Sequence, residues 1–285
     1  MTTRGWVWLN GRMQAAERAR VSVFDRGLLY GDGVFETLRV YGGEVFALEM
    51  HLARLREGAE RLALPLPALK WAVVLRRLLQ RNGLAEGDGW VRVTLTRGPS
   101  ERGLLPSEES RSTLLISSGH LDPRLELQQR RGIAVVVLPF GRNPALAEIK
   151  SANYLDGVLG RMTAARQRGA DGLFVAADGS LTESTTANLF IVARDALITP
   201  PAVGILRGIT RELVLKLARD AGWKVNEKKI RPAHLLAADE VFLTSSIAEI
   251  MPVVQVNGRR VGGGRPGPRT LEIRRMFRRL VGVAA

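Results

Sequence analysis

Apolar residues recur along this chain in two rhythms, and the switches between them mark the elements. Val7, Trp8 and Leu9 precede Asn10-Gly11, a dipeptide suited to the positive backbone angles of a tight turn, so a short hairpin is predicted that returns through Arg12. A second hairpin is predicted around Gly42-Gly43. Leu48, Leu52, Leu55, Ala59 and Leu62 then fall on one face of a helix that carries His51 and Arg54 and stops before Pro65. A helix over 69–79 and strands over 91–96 and 112–117 complete a first α+β unit.

Residues 119–131 are polar, contain Asp122-Pro123 and have no strong period, which is the pattern of an interdomain connection. Beyond them a buried strand is predicted at 133–138 and a helix over 154–168, ended by Gly169. Strands follow at 173–176, 187–192 and 196–198, then a helix over 210–221 closed by Gly222, a strand at 241–244 and a terminal helix over 269–280. The division expected is a small amino-terminal α/β domain (1–118), a connection (119–131) and a larger, strand-rich carboxy-terminal domain (132–285). No fixed-period repeat is present, and Gly262-Gly263-Gly264 is the one short low-complexity loop.

Composition narrows the classes. The 285 residues are 46% hydrophobic, enough for a sizeable core, yet no run of eighteen apolar residues occurs and Met1 to Asn10 lacks a leader pattern. A cytoplasmic protein without a membrane partner is expected. The absence of cysteine excludes disulfides, thiolate metal sites and a thiol nucleophile, and no metal site is expected. The net charge of +14 raises the alternative of a basic nucleic-acid-binding protein. Of the 42 basic residues, however, only six are lysines and 36 are arginines, scattered from Arg4 to Arg279, and no helix-turn-helix, zinc-finger or aromatic RNA platform accompanies them. No nucleic-acid partner is expected.

The chemistry concentrates in Leu181-Thr182-Glu183-Ser184-Thr185-Thr186-Ala187-Asn188-Leu189-Phe190, followed by Leu197-Ile198-Thr199 and Leu206-Arg207-Gly208-Ile209-Thr210-Arg211. With both spacers, this resembles the signature of class IV pyridoxal-phosphate aminotransferases. Two further segments are similar to the same family: 243–253, and Asp25-Arg26-Gly27 with Tyr30-Gly31-Asp32-Gly33. The resemblance spans essentially the whole chain. It implies the two-domain α+β architecture of fold type IV, with a small α/β domain and a larger, mixed, β-barrel-like domain with helices. It also implies pyridoxal 5′-phosphate as cofactor and a homodimer with active sites near the subunit interface.

The resemblance makes Lys150, in Glu148-Ile149-Lys150-Ser151-Ala152-Asn153-Tyr154, the catalytic amine that forms the Schiff base. Glu183 is then the carboxylate facing the pyridine nitrogen, an assignment carried by the signature, because a glutamate in a loop is ordinarily solvated. Ile209 and Thr210 open a helix whose free NH groups suit the phosphate, and Arg54, Ser245 and Ser246 add donors. Tyr154 stands where branched-chain enzymes carry a tyrosine to the cofactor's phenolic oxygen, one residue nearer the lysine. Tyr30, Phe35, Arg39, Arg92 and Arg102 are implied around the substrate pocket, where guanidinium groups match the carboxylates of amino and oxo acids.

The implied activity is ping-pong transfer of an amino group between an amino acid, branched-chain or D-, and a 2-oxo acid. Lys150-Ser151-Ala152-Asn153-Tyr154 and Gly264-Arg265-Pro266-Gly267-Pro268 look like branched-chain or D-amino-acid aminotransferases. In contrast, Phe35-Glu36-Thr37-Leu38-Arg39, 96–103 and Gly141-Arg142-Asn143-Pro144 are similar to aminodeoxychorismate lyase, which releases pyruvate and 4-aminobenzoate and stands as the alternative. An (R)-amine transaminase is a lesser one. The chain lacks the histidine that D-alanine enzymes place two residues after Arg102, and Trp90 replaces the tyrosine of branched-chain enzymes.

Overall fold

The computed structural model describes residues 5–101, 103–107 and 111–283. Two compact units divide it: Met1–Leu121 with Ile149–Tyr154, and Asp122–Glu148 with Leu155–Ala285. The chain therefore passes between units three times, where the sequence suggested one connection, and the segment bearing Lys150 belongs to the first unit.

In that unit, β1 (Trp6–Leu9) and β2 (Arg12–Ala15) form the predicted hairpin, with Asn10 and Gly11 both at positive φ. They precede α1 (Arg26–Tyr30), β3 (Gly33–Tyr41), β4 (Glu44–Val45), α2 (Leu48–Arg61), α3 (Trp71–Arg81), β5 (Gly89–Thr96) and β6 (Thr113–His120). The strands make one antiparallel sheet in the order β2-β1-β6-β5-β3-β4. Strand alternation sorts its faces. Val34, Leu38 and Val40 of β3 and Val91, Val93 and Leu95 of β5 pack against Leu52, Leu55, Leu75 and Leu78 of α2 and α3. Phe35, Thr37 and Arg39 therefore point to the opposite face, which Arg92 shares across the Thr37↔Arg92 pair.

In the second unit, α4 (Arg124–Arg131) replaces most of the expected connection. Its polarity conceals a helix because one side alone is engaged: Gln129 is buried and donates to the carbonyl of Ala248, while the remaining charges stay solvated. Next come β7 (Ile133–Val137), α5 (Pro144–Ala147), α6 (Leu155–Arg166), β8 (Asp171–Val175), β9 (Leu181–Ser184), β10 (Asn188–Ala193) and β11 (Ala196–Thr199). The unit ends with α7 (Ile209–Asp220), β12 (Lys224–Glu227), α8 (Pro232–Ala237), β13 (Glu240–Ser245), β14 (Glu249–Val256), β15 (Arg259–Arg260) and α9 (Pro268–Leu280). The sheet runs β12-β11-β10-β13-β14-β7-β8-β9, and β9 pairs again with β10. That last pairing closes six strands into a ring around Leu173, Leu189, Leu243 and Met251, the barrel-like body expected for the larger unit. Among the described residues no helix is long and apolar enough to cross a membrane.

Candidate active site

Lys150 is held by backbone pairing to the start of β3. Its carbonyl accepts from the Phe35 NH at 2.9 Å, and the Ala152 NH donates to the Gly33 carbonyl at 2.7 Å. Glycine is required on the strand side. A Cβ on Gly33 would stand 2.5 Å from the Leu95 carbonyl, and one on Gly31, in a left-handed conformation, would meet Asn153 at 3.1 Å. The Lys150 ammonium then lies 4.7 Å from the centre of the Phe35 ring and 6.0 Å from that of Tyr154, and the two rings meet edge to face at 5.3 Å. The Arg92 guanidinium also lies over Phe35, 3.7 Å from the centre of the same ring. Burial pulls the Arg92 pKa down, against the pull of Tyr154.

Four sequence-derived residues of this unit thus come together: Lys150, Phe35, Arg92 and Tyr154. The others lie apart. Arg39 is on the same face but four residues along β3, roughly 13 Å away, near Asp88 (3.8 Å) and over Tyr41. Tyr30 ends α1 beneath the Arg26 guanidinium, 4.8 Å from its ring centre. Arg102 lies outside the described residues.

Arg54 projects from α2 to the core face. Its Nε and Nη2 donate to the two Glu36 oxygens at 2.7 and 2.8 Å, and His51 Nδ1 is 2.7 Å from Oε2. Burial opposes ionisation of Glu36, but the bonds and charge of Arg54 and the His51 bond outweigh it and lower its pKa to about 2. Burial keeps the His51 pKa below its usual value despite Glu36. In the sequence Glu36 stands only within a family-like run and His51 only as a helix residue; the signal that joins them is β3 alternation, which turns Glu36 toward α2.

In the second unit Glu183 belongs to β9, a strand, where the sequence suggested a loop. It is buried because the Glu183↔Asn188 pair is the seam that closes the barrel. Arg142 Nη1 donates to its Oε1 at 2.6 Å, and Asn188 Nδ2 and the Leu206 NH approach Oε2 at 3.4 and 3.3 Å. Arg142 is visible in the sequence without a role; no local spacing connects it to a glutamate 41 positions on. Behind the seam, buried Asp171 accepts from the hydroxyls of Ser184 and Thr185 and fixes the turn. The three signature stretches converge here: Thr199 Oγ1 donates to the Leu189 carbonyl, and Asn188 Nδ2 to that of Leu206.

Ile209 and Thr210 are buried in the first turn of α7, whose N-cap, Gly208, provides no side chain to satisfy the free NH groups. A Cβ on Gly208 would fall 1.9 Å from Asn188 Oδ1, so that backbone approach needs glycine. Ser245 ends β13, its Oγ accepting from the Ala248 NH at 3.2 Å; Ser246 is next in the turn, and the preceding Thr244 hydroxyl is buried without a partner among the described residues. Free helix amides, hydroxyls and a buried carboxylate are the donor and acceptor set that a phosphorylated pyridine requires, so the residues present fit pyridoxal phosphate.

The amino-transferase class IV family model matches residues 33–256. The chain belongs to the class IV aminotransferase family. A putative branched-chain-amino-acid aminotransferase of Methanocaldococcus jannaschii is 39% identical over 279 residues, covering 95% of each chain. The D-alanine aminotransferase of Bacillus licheniformis is 32% identical (94% of each), and the aminodeoxychorismate lyase of Bacillus subtilis 31% (88% of this chain, 86% of the relative). Among solved structures, the Escherichia coli branched-chain amino acid aminotransferase superposes with a TM-score of 0.91 at 30% identity, covering 99% of this chain and 96% of that one. The branched-chain amino acid aminotransferase of Thermoproteus uzoniensis, solved with norvaline, matches with a TM-score of 0.89 at 30% identity, covering 98% and 95%. Another branched-chain enzyme, solved with pyridoxamine 5′-phosphate, matches with a TM-score of 0.91 at 27% identity over the same shares, 98% and 95%. This protein is therefore an enzyme of the family, with the two-unit fold of these aminotransferases.

Proposed function

We propose that the enzyme is a pyridoxal-phosphate-dependent aminotransferase that moves an amino group between a branched-chain or D-amino acid and a 2-oxo acid in two half-reactions. The observation that carries this reading is the setting of Lys150. All five other lysines are exposed, whereas Lys150 alone is partly withdrawn from solvent, beside two aromatic rings. Its backbone pairing to Gly33 and Phe35 aims this amine, as a lysine acting as nucleophile and base requires.

When bound, pyridoxal phosphate supplies the electron sink for cleavage at the substrate's α-carbon. Lys150 would hold the cofactor through its amine, and the same amine is the group that would move the substrate's α-proton. Glu183, bonded by Arg142, would face the pyridine nitrogen. Ile209, Thr210, Ser245, Ser246 and Arg54 bind the phosphate, and Tyr154 the phenolic oxygen. Arg92 takes the substrate carboxylate beside Phe35, with Tyr30 and Arg39 further out, and Arg102 is assigned to the same substrate by its place in the family pattern. The homodimer belongs to the same reading. α6 exposes Leu155, Val158, Leu159 and Met162 along one helical stripe, and Phe24, Leu28 and Leu29 are exposed in the first unit. Such apolar surface favours a subunit contact.

The test is the visible absorption of the purified enzyme with pyridoxal phosphate, before and after L-leucine, D-alanine or L-glutamate. A band that is present in the wild type, lost in Lys150→Ala and converted by one donor supports the reading; no band in the wild type refutes it. Pyruvate released from 4-amino-4-deoxychorismate without an oxo-acid acceptor would transfer the assignment to the lyase, for which the 31% identical relative speaks.

A further inference from the structure

Asp32 is shared by two buried arginines. Its Oδ2 accepts from Nε of Arg26 and Nε of Arg97, each at 2.8 Å, and Arg97 Nη2 adds a bond to Oδ1 at 3.2 Å. These two arginines then diverge. Arg97 donates onward to the carbonyls of Leu62 and Ala63 at the end of α2, at 2.7 and 3.0 Å, and is locked into the body of the first unit. Arg26 instead reaches out of α1 to the loop after β5, donating to the Gly103 and Leu104 carbonyls at 2.6 and 2.9 Å. The side chains of that stretch stand in solvent: Leu104 is 82% and Leu105 90% exposed.

The loop also leaves the sheet beside Lys150. Thr96, the last residue of β5, pairs with Gly33, whose carbonyl receives the Ala152 NH. Residues 24–26 hold the start of the loop by backbone contacts, with the Arg26 NH donating to the Gly98 carbonyl at 3.0 Å. Asp25 supports α1 from below, accepting from the Gly27 NH and from the hydroxyls of Thr96 and Thr113. A guanidinium with all three arms committed is a rigid strut, since its planar fork leaves little rotamer freedom.

We propose that Arg26, locked by Asp32, is a positioning residue for substrate selection: it fixes the course of residues 103–106, in the loop that leaves the sheet beside the Lys150 segment, and thereby decides which amino donors are accepted. This rests on the aminotransferase reading. A wall held to within about 1 Å discriminates between donors, and one released by that much admits them indiscriminately and binds each less well.

Arg26→Leu, Arg26→Lys and Asp32→Asn are compared with the wild-type holoenzyme by hydrogen exchange of peptides spanning 98–107, by cofactor absorption, and by kcat and KM for L-leucine, D-alanine and L-glutamate. For Arg26→Leu we expect exchange in the loop to rise about tenfold and KM for the preferred donor about tenfold or more. The preference between donors should narrow, with kcat and the visible band little changed. Arg26→Lys, which keeps charge but not the fork, should fall between. The proposal is overturned if the loop loosens while KM and donor preference stay put, if the loop does not loosen, or if band, kcat and KM collapse together in all three variants. A wild type without amino transfer sinks the functional reading and the selectivity claim with it; a loop that loosens there would still show the strut itself.

Discussion

Glu36→Gln is the perturbation whose cost can be worked most directly from the structure. Glu36 is 1% exposed and binds Arg54 through both oxygens and His51 through one. A carboxyl brought from 4.5 to about 2 prefers its charged form in the fold by about 3 kcal/mol. The amide has nearly the same shape, so no cavity forms; what changes is that the Arg54 guanidinium keeps one neutral acceptor in place of a bidentate carboxylate. Breaking a buried pair from one side costs about 3–5 kcal/mol, and the two figures agree. Urea unfolding at pH 7.5 should therefore show Glu36→Gln about 3 kcal/mol less stable than the wild type.

The sign with pH is fixed by the direction of the shift. A folded-state pKa below the unfolded value gives stability that is present above 4.5 and lost as pH falls toward about 2. The gap between wild type and variant should be full at neutral pH and close through that window. His51, also lowered, removes stability in both proteins as pH falls below 6.5, and more in the variant, which lacks the Glu36 charge that raises the His51 pKa, so it does not close the gap. A difference under about 1 kcal/mol at pH 7.5, or one that persists undiminished at pH 2.5, would refute the assignment of this energy to the Glu36 charge.

Three further outcomes are expected. Arg92→Gln should lower kcat/KM for amino donors about 10- to 100-fold, mainly through KM, as the loss of a charge-assisted bond worth about 1.5–3 kcal/mol requires; unchanged steady-state kinetics would remove Arg92 from the substrate site. Gly208→Ala places a methyl group 1.9 Å from Asn188 Oδ1, so the chain must shift at the start of α7. Affinity for pyridoxal phosphate, titrated by absorbance, should fall at least about tenfold, with about 1–3 kcal/mol lost in stability. Arg142→Met strands a buried carboxylate, the pair being 9% and 4% exposed, and should cost about 3–5 kcal/mol in denaturant unfolding; a cost near zero would show that Arg142 does not hold Glu183.

What the sequence discloses, and what it withholds, follows from the range of the forces involved. Helices α2, α7 and α9 are legible because each buries an apolar stripe whose period is local, as Leu48, Leu52, Leu55, Ala59 and Leu62 show. The Asn10-Gly11 hairpin is legible because turn geometry is decided by two residues. α4 is hidden because its anchoring groove lies beneath Ala248, more than a hundred positions away. Glu183 looks like a loop residue because β9 is only four residues long, and its pairing with β8 and β10 arises only when the barrel closes. Lys150, Glu183 and the Gly208-Ile209-Thr210 turn are found through a motif. Glu36 and Arg142 stand inside family-like runs and Asp171 and His51 in none, and nothing local says which residue each will hold, since long-range ion pairs leave no spacing in a single chain.

That asymmetry has a physical basis in how a reactive group is held. Lys150 is aimed by its backbone, and backbone pairing to Gly33 and Phe35 tolerates any side chain that leaves Gly31 and Gly33 unobstructed. Glu183 is aimed by side chains: a guanidinium on one oxygen, an amide and a backbone NH on the other. The first kind of support writes glycines into the sequence close to the site. The second writes single polar residues at distances set by topology, each individually replaceable by another donor of the right reach. Substitutions around Lys150 should accordingly act through backbone geometry and cluster at glycines, whereas those around Glu183 should be rescued by residues that restore a donor. Arg142→Lys, which keeps the charge on a long side chain, is therefore expected to recover most of the stability that Arg142→Met loses; recovery of none would mean that the guanidinium fork, and not its charge, sets the position of Glu183.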